Sequence, residues 1–335
     1  MQTVDKFQRP LRDLRISVTD RCNFRCAYCM PAEIFGERYE FLPREELLTF
    51  EEIYRVANIS AQLGVKKIRI TGGEPLVRQN VPELIKMLSS IKEIEDIAMT
   101  TNAYLLKKFA KELKQSGLNR ITVSLDSIDD EIFQKMNGRG FKTKKVIDGI
   151  KEAQKVGFND IKINSVVQKN VNDKTLLNLV EWCREENLIP RFIEYMDVGT
   201  LNNWKLDEVV SASEIIEIIS SKYPVSPIDP SYRGEVAKRY GYKDGKGEFG
   251  IISSVTQPFC GDCTRMRLSP EGQMVTCLFA SSGIELRESL RKKMSDEEIK
   301  QIIKNTWNVR KDRYSEERNP SLSSRPKVEM YHIGG

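Results

Sequence analysis

Three cysteines fall within eight residues, at Cys22, Cys26 and Cys29, with Tyr28 just before the last. The spacing is C-x3-C-x2-C. Thiols this close on one loop can converge on one centre, and a thiolate-only donor set suits zinc or an iron–sulfur cluster. Three ligands to a four-iron cluster leave one iron without a protein ligand, and an open position marks a reacting site rather than a structural one. A structural zinc would need a fourth ligand from elsewhere, in a chain with one histidine, His332. A second set follows near the C-terminus: Cys260 and Cys263 as C-x2-C, then Cys277. It offers either another cluster with an open iron or a zinc site short of one ligand. Between its members stand Arg265 and Arg267, which face the same way if that segment is extended. Two guanidiniums beside a metal centre suit a phosphate-bearing ligand. Cys183 lies alone in helical sequence and reads as structural.

These residues need a frame. Strands are expected at 14–18, 67–71, 97–100, 121–125, 161–167 and 190–195. Helices follow them: one capped by Thr49 and Glu52, then 82–91, 104–116, 130–136, 142–156 and 173–186. Six strand–helix units argue for an α/β fold with a parallel sheet, either doubly wound or an incomplete TIM-like barrel. The strand faces favour the barrel. Arg15 and Ser17 oppose Leu14, Ile16 and Val18; Lys67, Arg69 and Thr71 oppose Ile68 and Ile70; Lys162 and Asn164 oppose Ile161 and Ile163. Helices cover the apolar faces of such units, so the polar faces should line a cationic lumen. Gly72-Gly73-Glu74-Pro75 ends the second strand; its glycines allow close backbone approach, and its carboxylate could receive an ammonium group. After Tyr195 the pattern changes. A helix should begin at Ser211, residues 224–242 read as turn-rich, and 249–255 as a strand. The expected division is 1–200 for the barrel and 201–335 for a C-terminal region.

Composition narrows the classes. The 335 residues are 40% hydrophobic and 30% charged, with 53 basic against 48 acidic side chains, a net +5. That excess favours an anionic ligand without arguing for nucleic acid. No run of about twenty apolar residues predicts a membrane span, and the first residues lack a signal peptide's apolar core. A cytoplasmic location is expected, where thiols stay reduced and clustered cysteines bind metals.

The cysteine loop resembles the radical S-adenosylmethionine (radical SAM) signature. With Gly72–Pro75, Thr100-Thr101-Asn102, Ser124-Leu125-Asp126, Arg191 through Met196, Pro258 through Cys277 and the terminal Gly334-Gly335, the chain from about Leu11 onward resembles the GTP 3′,8-cyclase family of molybdenum cofactor biosynthesis. The resemblance implies an incomplete (β/α)6 barrel with a C-terminal segment carrying a second iron–sulfur cluster. One [4Fe-4S] cluster would sit on Cys22, Cys26 and Cys29 and cleave S-adenosyl-L-methionine, which Tyr28, Gly73, Ser124 and Met196 would contact. The resulting 5′-deoxyadenosyl radical would take H3′ of GTP, and C3′ would attack C8 to give 3′,8-cyclo-7,8-dihydro-GTP. A second [4Fe-4S] cluster on Cys260, Cys263 and Cys277 would hold the guanine. Arg15, Arg69, Thr100, Lys162, Arg191, Arg265 and Arg267 would bind GTP; Arg265, Arg267, Gly334 and Gly335 would assist catalysis. Implied partners are a low-potential electron donor of flavodoxin or ferredoxin type and a downstream cyclic pyranopterin synthase, with a homodimer as an option. Two departures stand out. Ala103 occupies a position where the family usually has glycine, and His332 has no assignable role and reads as a surface residue. Two other readings compete. A radical SAM enzyme acting on a peptide through an auxiliary cluster would carry more C-terminal cysteines. A zinc-stabilised nucleic-acid-binding protein would need basic, aromatic-bearing surfaces.

Overall fold

The computed structural model describes residues 3–232, 234–319 and 325–335. Six strands run parallel and in sequence order: β1 (Asp13–Ser17), β2 (Lys67–Thr71), β3 (Asp96–Thr101), β4 (Arg120–Ser124), β5 (Lys162–Val167) and β6 (Ile189–Glu194). Between and after them come α1 (Phe50–Gln62), α2 (Val81–Ser89), α3 (Leu106–Gln115), α4 (Asp130–Asn137), α5 (Lys144–Lys155) and α6 (Leu176–Glu185). All six expected units are present. A doubly wound sheet reverses its strand order at a switch point. Here the order is sequential, so right-handed crossovers place the helices on one face and leave the other concave. The capping box on α1 forms as read, with Glu52 N–H donating to Thr49 Oγ1 and Thr49 N–H to Glu52.

The C-terminal region extends this sheet at both edges. β10 (Arg265–Leu268) pairs parallel with β1, and β9 (Glu248–Ile252) pairs parallel with β6. Each continues outward in antiparallel strands: β8 (Lys238–Tyr242) and β7 (Val225–Ile228) beyond β9, and β11 (Gln273–Val275) and β12 (Ile284–Glu285) beyond β10. The result is one twelve-stranded sheet. Residues 224–242, read from sequence as turn-rich, thus contain two strands, β8 and the edge strand β7. Pro227 obscured the first, yet an edge strand tolerates a proline because its outer N–H needs no partner. The capping box of Ser211 and Glu214 starts α7 (Ala212–Ser220) as expected. Among the described residues the remaining helices are α8 (Arg287–Arg291), α9 (Asp296–Asn308), α10 (Tyr314–Glu317) and α11 (Met330–Ile333).

The core fills the layer between helices and sheet. Leu14, Ile16, Ile68, Ile70, Met99, Ile121, Val123 and Ile163 meet Ile53 and Val56 of α1, Leu84 and Leu88 of α2 and their counterparts in later helices. Burial of each such side chain stabilises the fold by about 1.5–3 kcal/mol. The alternate strand residues are therefore committed to the concave side. No helix among the described residues is long and apolar enough to cross a membrane.

Candidate functional site

The concave face encloses a cavity, and its lining starts with strand register. Arg267 on β10, Arg15 on β1 and Arg69 on β2 stand opposite one another in one row. Ala98 follows on β3, opposite both Arg69 and Arg120. That small residue leaves room for Arg69 to reach across, donating to Thr100 Oγ1 (3.0 Å) and Thr122 Oγ1 (3.2 Å). Burial, then the neighbouring Arg267, Arg69 and Arg265, holds Arg15 well below its ordinary range. Burial and neighbouring arginines likewise lower Arg69 and Arg267 to about 10, and Lys162 to about 7. Gathering like charges in a buried space is costly unless an anion joins them.

At the C-terminal ends of the strands lies the first cysteine loop. Arg25, itself buried, ties it from within: its guanidinium donates to the carbonyls of Cys22 and Phe24 (2.7 Å each) and of Phe35 (2.6 Å). The Gly72–Pro75 segment holds it from outside. Gly73 N–H donates to Thr19 O (2.7 Å) and Glu74 N–H to Arg21 O (2.9 Å). A Cβ on Gly73 would stand 2.4 Å from Arg21 O, so only glycine fits. Glu74 also fastens two turns. Its carboxylate accepts from Thr101 Oγ1 and Asn102 N–H (2.7 Å each) and Leu76 N–H (3.0 Å), fastening β2 to the turn after β3. Burial raises it to about 7. In that turn Asn102 donates to Asn23 Oδ1 (2.7 Å), and Ala103 takes φ 58°, the left-handed conformation that favours glycine. Tyr28 donates to Asp126 Oδ2 (2.8 Å), and burial lifts Asp126 to about 6.

Burial, with Glu74 next in effect, pushes the Cys22 thiol up to about 12. Burial, then Asp126 and the other two thiols, raises Cys26; burial and Cys22 raise Cys29. Three soft donors on one half-buried loop, with no hard ligand between them, fit an iron–sulfur cluster. Among the described residues no three His, Cys, Asp or Glu side chains close on a space the size of one metal ion.

The second cysteine set is pinned differently. Arg265 donates to Cys263 Sγ (3.2 Å). Arg310 donates to the same sulfur (3.1 Å) and to Cys263 O (2.8 Å), and Arg9 to Cys260 O (2.7 Å). Asp5 pairs with both Arg9 (2.6 Å) and Arg310 (3.2 Å), all three buried. Burial pushes the Cys263 thiol up, but Arg265 and Arg310 more than offset this and bring it to about 6. Cys277 follows β11 beside the stacked rings of Phe279 and Tyr314 (centroids 4.3 Å apart). All six clustered cysteines line the same cavity, while Cys183 is buried in α6 within the core.

The tail enters this cavity. Tyr331 bonds Tyr39 hydroxyl to hydroxyl (2.8 Å), and His332 Nε2 lies 2.7 Å from Glu271 Oε1. His332 is thus half-buried and paired; the expectation of a surface residue overlooked the fold of the tail back over β10–β11. Arg267 donates to Gly334 O. Gly334 has φ +73°, and a Cβ there would strike the Thr71 side chain.

Tyr28, Gly73, Ser124, Met196, Thr100, Arg15, Arg69, Arg191, Arg265, Arg267 and Gly335 all line the cavity. Gly334 abuts it through Arg267. Lys162 does not line it, but lies close enough to Arg191, Arg120 and Arg69 to feel their charge. The sequence did not single out Arg120, Arg310, Tyr232 or Glu235. Arg120 falls one residue before the strand as read from sequence. The others lie in segments without periodicity.

The chain's similarity to known proteins matches this layout. The family described as Radical SAM superfamily matches residues 16–183, and that described as Molybdenum Cofactor Synthesis C matches residues 189–316. A Staphylococcus haemolyticus protein named GTP 3′,8-cyclase is 49% identical over 338 residues, covering 100% of this chain and 99% of its own. A Staphylococcus aureus protein of the same name is 48% identical over 338 residues, covering 100% and 99%. Among solved structures, Streptococcus suis SuiB, crystallised with S-adenosylmethionine, superposes with a TM-score of 0.60 at 19% identity, over 80% of this chain and 60% of that one. That likeness concerns the fold alone.

Proposed function

From the premise that the chain belongs to the GTP 3′,8-cyclase family within the radical SAM superfamily, we propose that it converts GTP to 3′,8-cyclo-7,8-dihydro-GTP, the first step of molybdenum cofactor biosynthesis. One observation supports this reading above the others. Two cysteine triads line a single cavity whose remaining wall holds the row Arg267–Arg15–Arg69. A peptide substrate would not call for that concentration of guanidinium groups; a nucleoside triphosphate does.

Residues 1–200 provide the cofactor side. Cys22, Cys26 and Cys29 hold a [4Fe-4S] cluster, and Tyr28, Gly73, Ser124 and Met196 contact S-adenosyl-L-methionine. Residues 201–335 provide a second [4Fe-4S] cluster on Cys260, Cys263 and Cys277, and most of the lid. When bound, the first cluster and S-adenosyl-L-methionine supply the reducing electron and the radical chemistry. The chain's own residues do the rest. Arg15, Arg69, Lys162, Arg191, Arg265 and Arg267 form the triphosphate and substrate clamp, and Thr100 is a further GTP contact. Thr100 and Thr122 fix the Arg69 guanidinium so that it need not reorganise. Gly334 and Gly335 bring a slim backbone against Arg267 and help exclude water. A low-potential flavodoxin or ferredoxin type donor reduces the enzyme, and a cyclic pyranopterin synthase takes the product onward; a homodimer fits this role.

The test is 5′-deoxyadenosine formation by anaerobically reconstituted protein given S-adenosylmethionine and dithionite. The expected result is GTP-dependent formation, with deuterium from C3′-labelled GTP appearing in 5′-deoxyadenosine. Formation indifferent to GTP would overturn the substrate assignment.

A further inference from the structure

The segment joining β7 to β8 leaves its own edge of the sheet and crosses to the opposite one. Gly234 packs against the other side, where a Cβ would lie 2.8 Å from Asp262 O and 3.2 Å from the Thr264 side chain. Tyr232 lies beneath Lys67 of β2, with Nζ 3.2 Å from the ring centroid. Just after these contacts Glu235 turns toward Arg191 of the lumen wall. Its side chain is 5% exposed, and Oε1 stands 3.7 Å from Arg191 Nη2. Its other oxygen accepts Ser231 N–H (2.8 Å), which fixes its direction. The space is made by Gly250, which faces Arg191 across the β6–β9 pair. A Cβ at 250 would stand 3.0 Å from Ala237 Cβ and 3.3 Å from Arg191 Cγ.

A separation of 3.7 Å is a coulombic pairing and not a hydrogen bond. Arg191 therefore keeps its N–H groups available while its charge is partly matched. A carboxylate held here must repel any anion that approaches Arg191. Resting on the reading of this cavity as a nucleoside triphosphate site, we propose that Glu235 is a charge-matching, specificity-determining residue of the polyphosphate subsite. It partners Arg191 in the free protein, weakens capture of the triphosphate in proportion to ligand charge, and so limits how tightly the nucleotide is held.

The experiment is equilibrium binding of GTP, GMP and guanosine to reconstituted wild type, Glu235→Gln, Arg191→Gln and the double variant. Glutamine keeps an acceptor for Ser231 N–H and removes only the charge. In Glu235→Gln, GTP should bind roughly tenfold tighter, GMP less so, and guanosine unchanged. In the Arg191→Gln background the gain should shrink to about twofold or less. A loosened loop would shift guanosine together with GTP, so equal shifts, or GTP affinity unchanged or weakened in Glu235→Gln, would overturn this inference while wild-type GTP binding left the parent reading intact. A wild type that binds guanosine and GTP equally would overturn the parent reading and this inference with it.

Discussion

The two cysteine triads share one cavity and differ in almost everything that holds them. The first is local: three thiols within eight residues, braced by Arg25 from inside and by Gly73, Glu74 and Asn102 from adjacent turns. Its ionisable neighbours include the carboxyl groups Glu74 and Asp126, which oppose thiolate formation. The second is non-local: a turn, a hairpin and both chain termini assemble it, with Arg9 from the start of the chain and Arg310 from near its end. Its neighbours are guanidiniums, which favour thiolate at Cys263. An acid-bearing end suits a group that brings positive charge, such as a sulfonium or ammonium; an arginine-bearing end suits phosphates. One sheet thus presents opposite electrostatics at two ends of one space, and the difference teaches which ligand belongs where.

The contrast breaks most sharply at the cysteines themselves. Cys26→Ala should abolish 5′-deoxyadenosine formation, a loss of about a thousandfold or more, with iron content falling. Cys263→Ala should keep S-adenosylmethionine cleavage and lose its dependence on GTP. If the two variants behaved alike, the division of labour would be wrong. Next in size is the brace that only the second set has. Arg9→Met leaves Asp5 paired with Arg310 but strips the carbonyls of Cys260 and Asp312 of a donor, and a buried acceptor left unpaired costs about 1–3 kcal/mol. Denaturant unfolding should register it, and iron bound by the second set should fall while that bound by the first persists.

A smaller effect sharpens the electrostatic half. Lys162, held down to about 7, is partly neutral in the free protein near neutrality. An anionic ligand favours its charged form, so GTP binding should take up a proton above pH 7 and weaken as pH rises toward 9, by up to tenfold per unit. Lys162→Met should flatten that profile. The folded value lies below the unfolded one, so between about pH 7 and 10.5 the unfolded chain binds more protons. The penalty of burying Lys162 is full below pH 7 and is relieved across that window, so stability attributable to this residue rises with pH. Smallest is Ala103→Gly, in the turn that braces the first loop. Relief of the left-handed strain, about 1 kcal/mol, is set against a lost buried methyl, so unfolding free energy should change by about 1 kcal/mol or less and turnover should be unaffected.

Much of this was legible before folding. The C-x3-C-x2-C loop needs no tertiary information, because its ligands are neighbours along the chain. The alternation in Leu14-Arg15-Ile16 and Ile68-Arg69-Ile70 placed Arg15 and Arg69 on the face away from the helices, since period two fixes which side chains share a side. Other features were not legible. Arg9 and Arg310 meet Cys260 and Cys263 across more than 250 and 45 residues respectively, and no periodicity records such a contact. Glu74 looked like an open acceptor, and its fastening role was not legible, because its partners Thr101 and Asn102 come from the next strand's end. His332 looked superficial until the tail folded back onto Glu271. By itself the sequence determined the six strand–helix units and which of their strand faces are polar, because those follow from local spacing and the burial of apolar side chains. Only the tertiary structure decided what the polar groups meet. The pairing of β10 with β1 and β9 with β6 brings the C-terminal region onto both edges of the barrel sheet, and register between strands far apart in the chain sets which charges stand side by side.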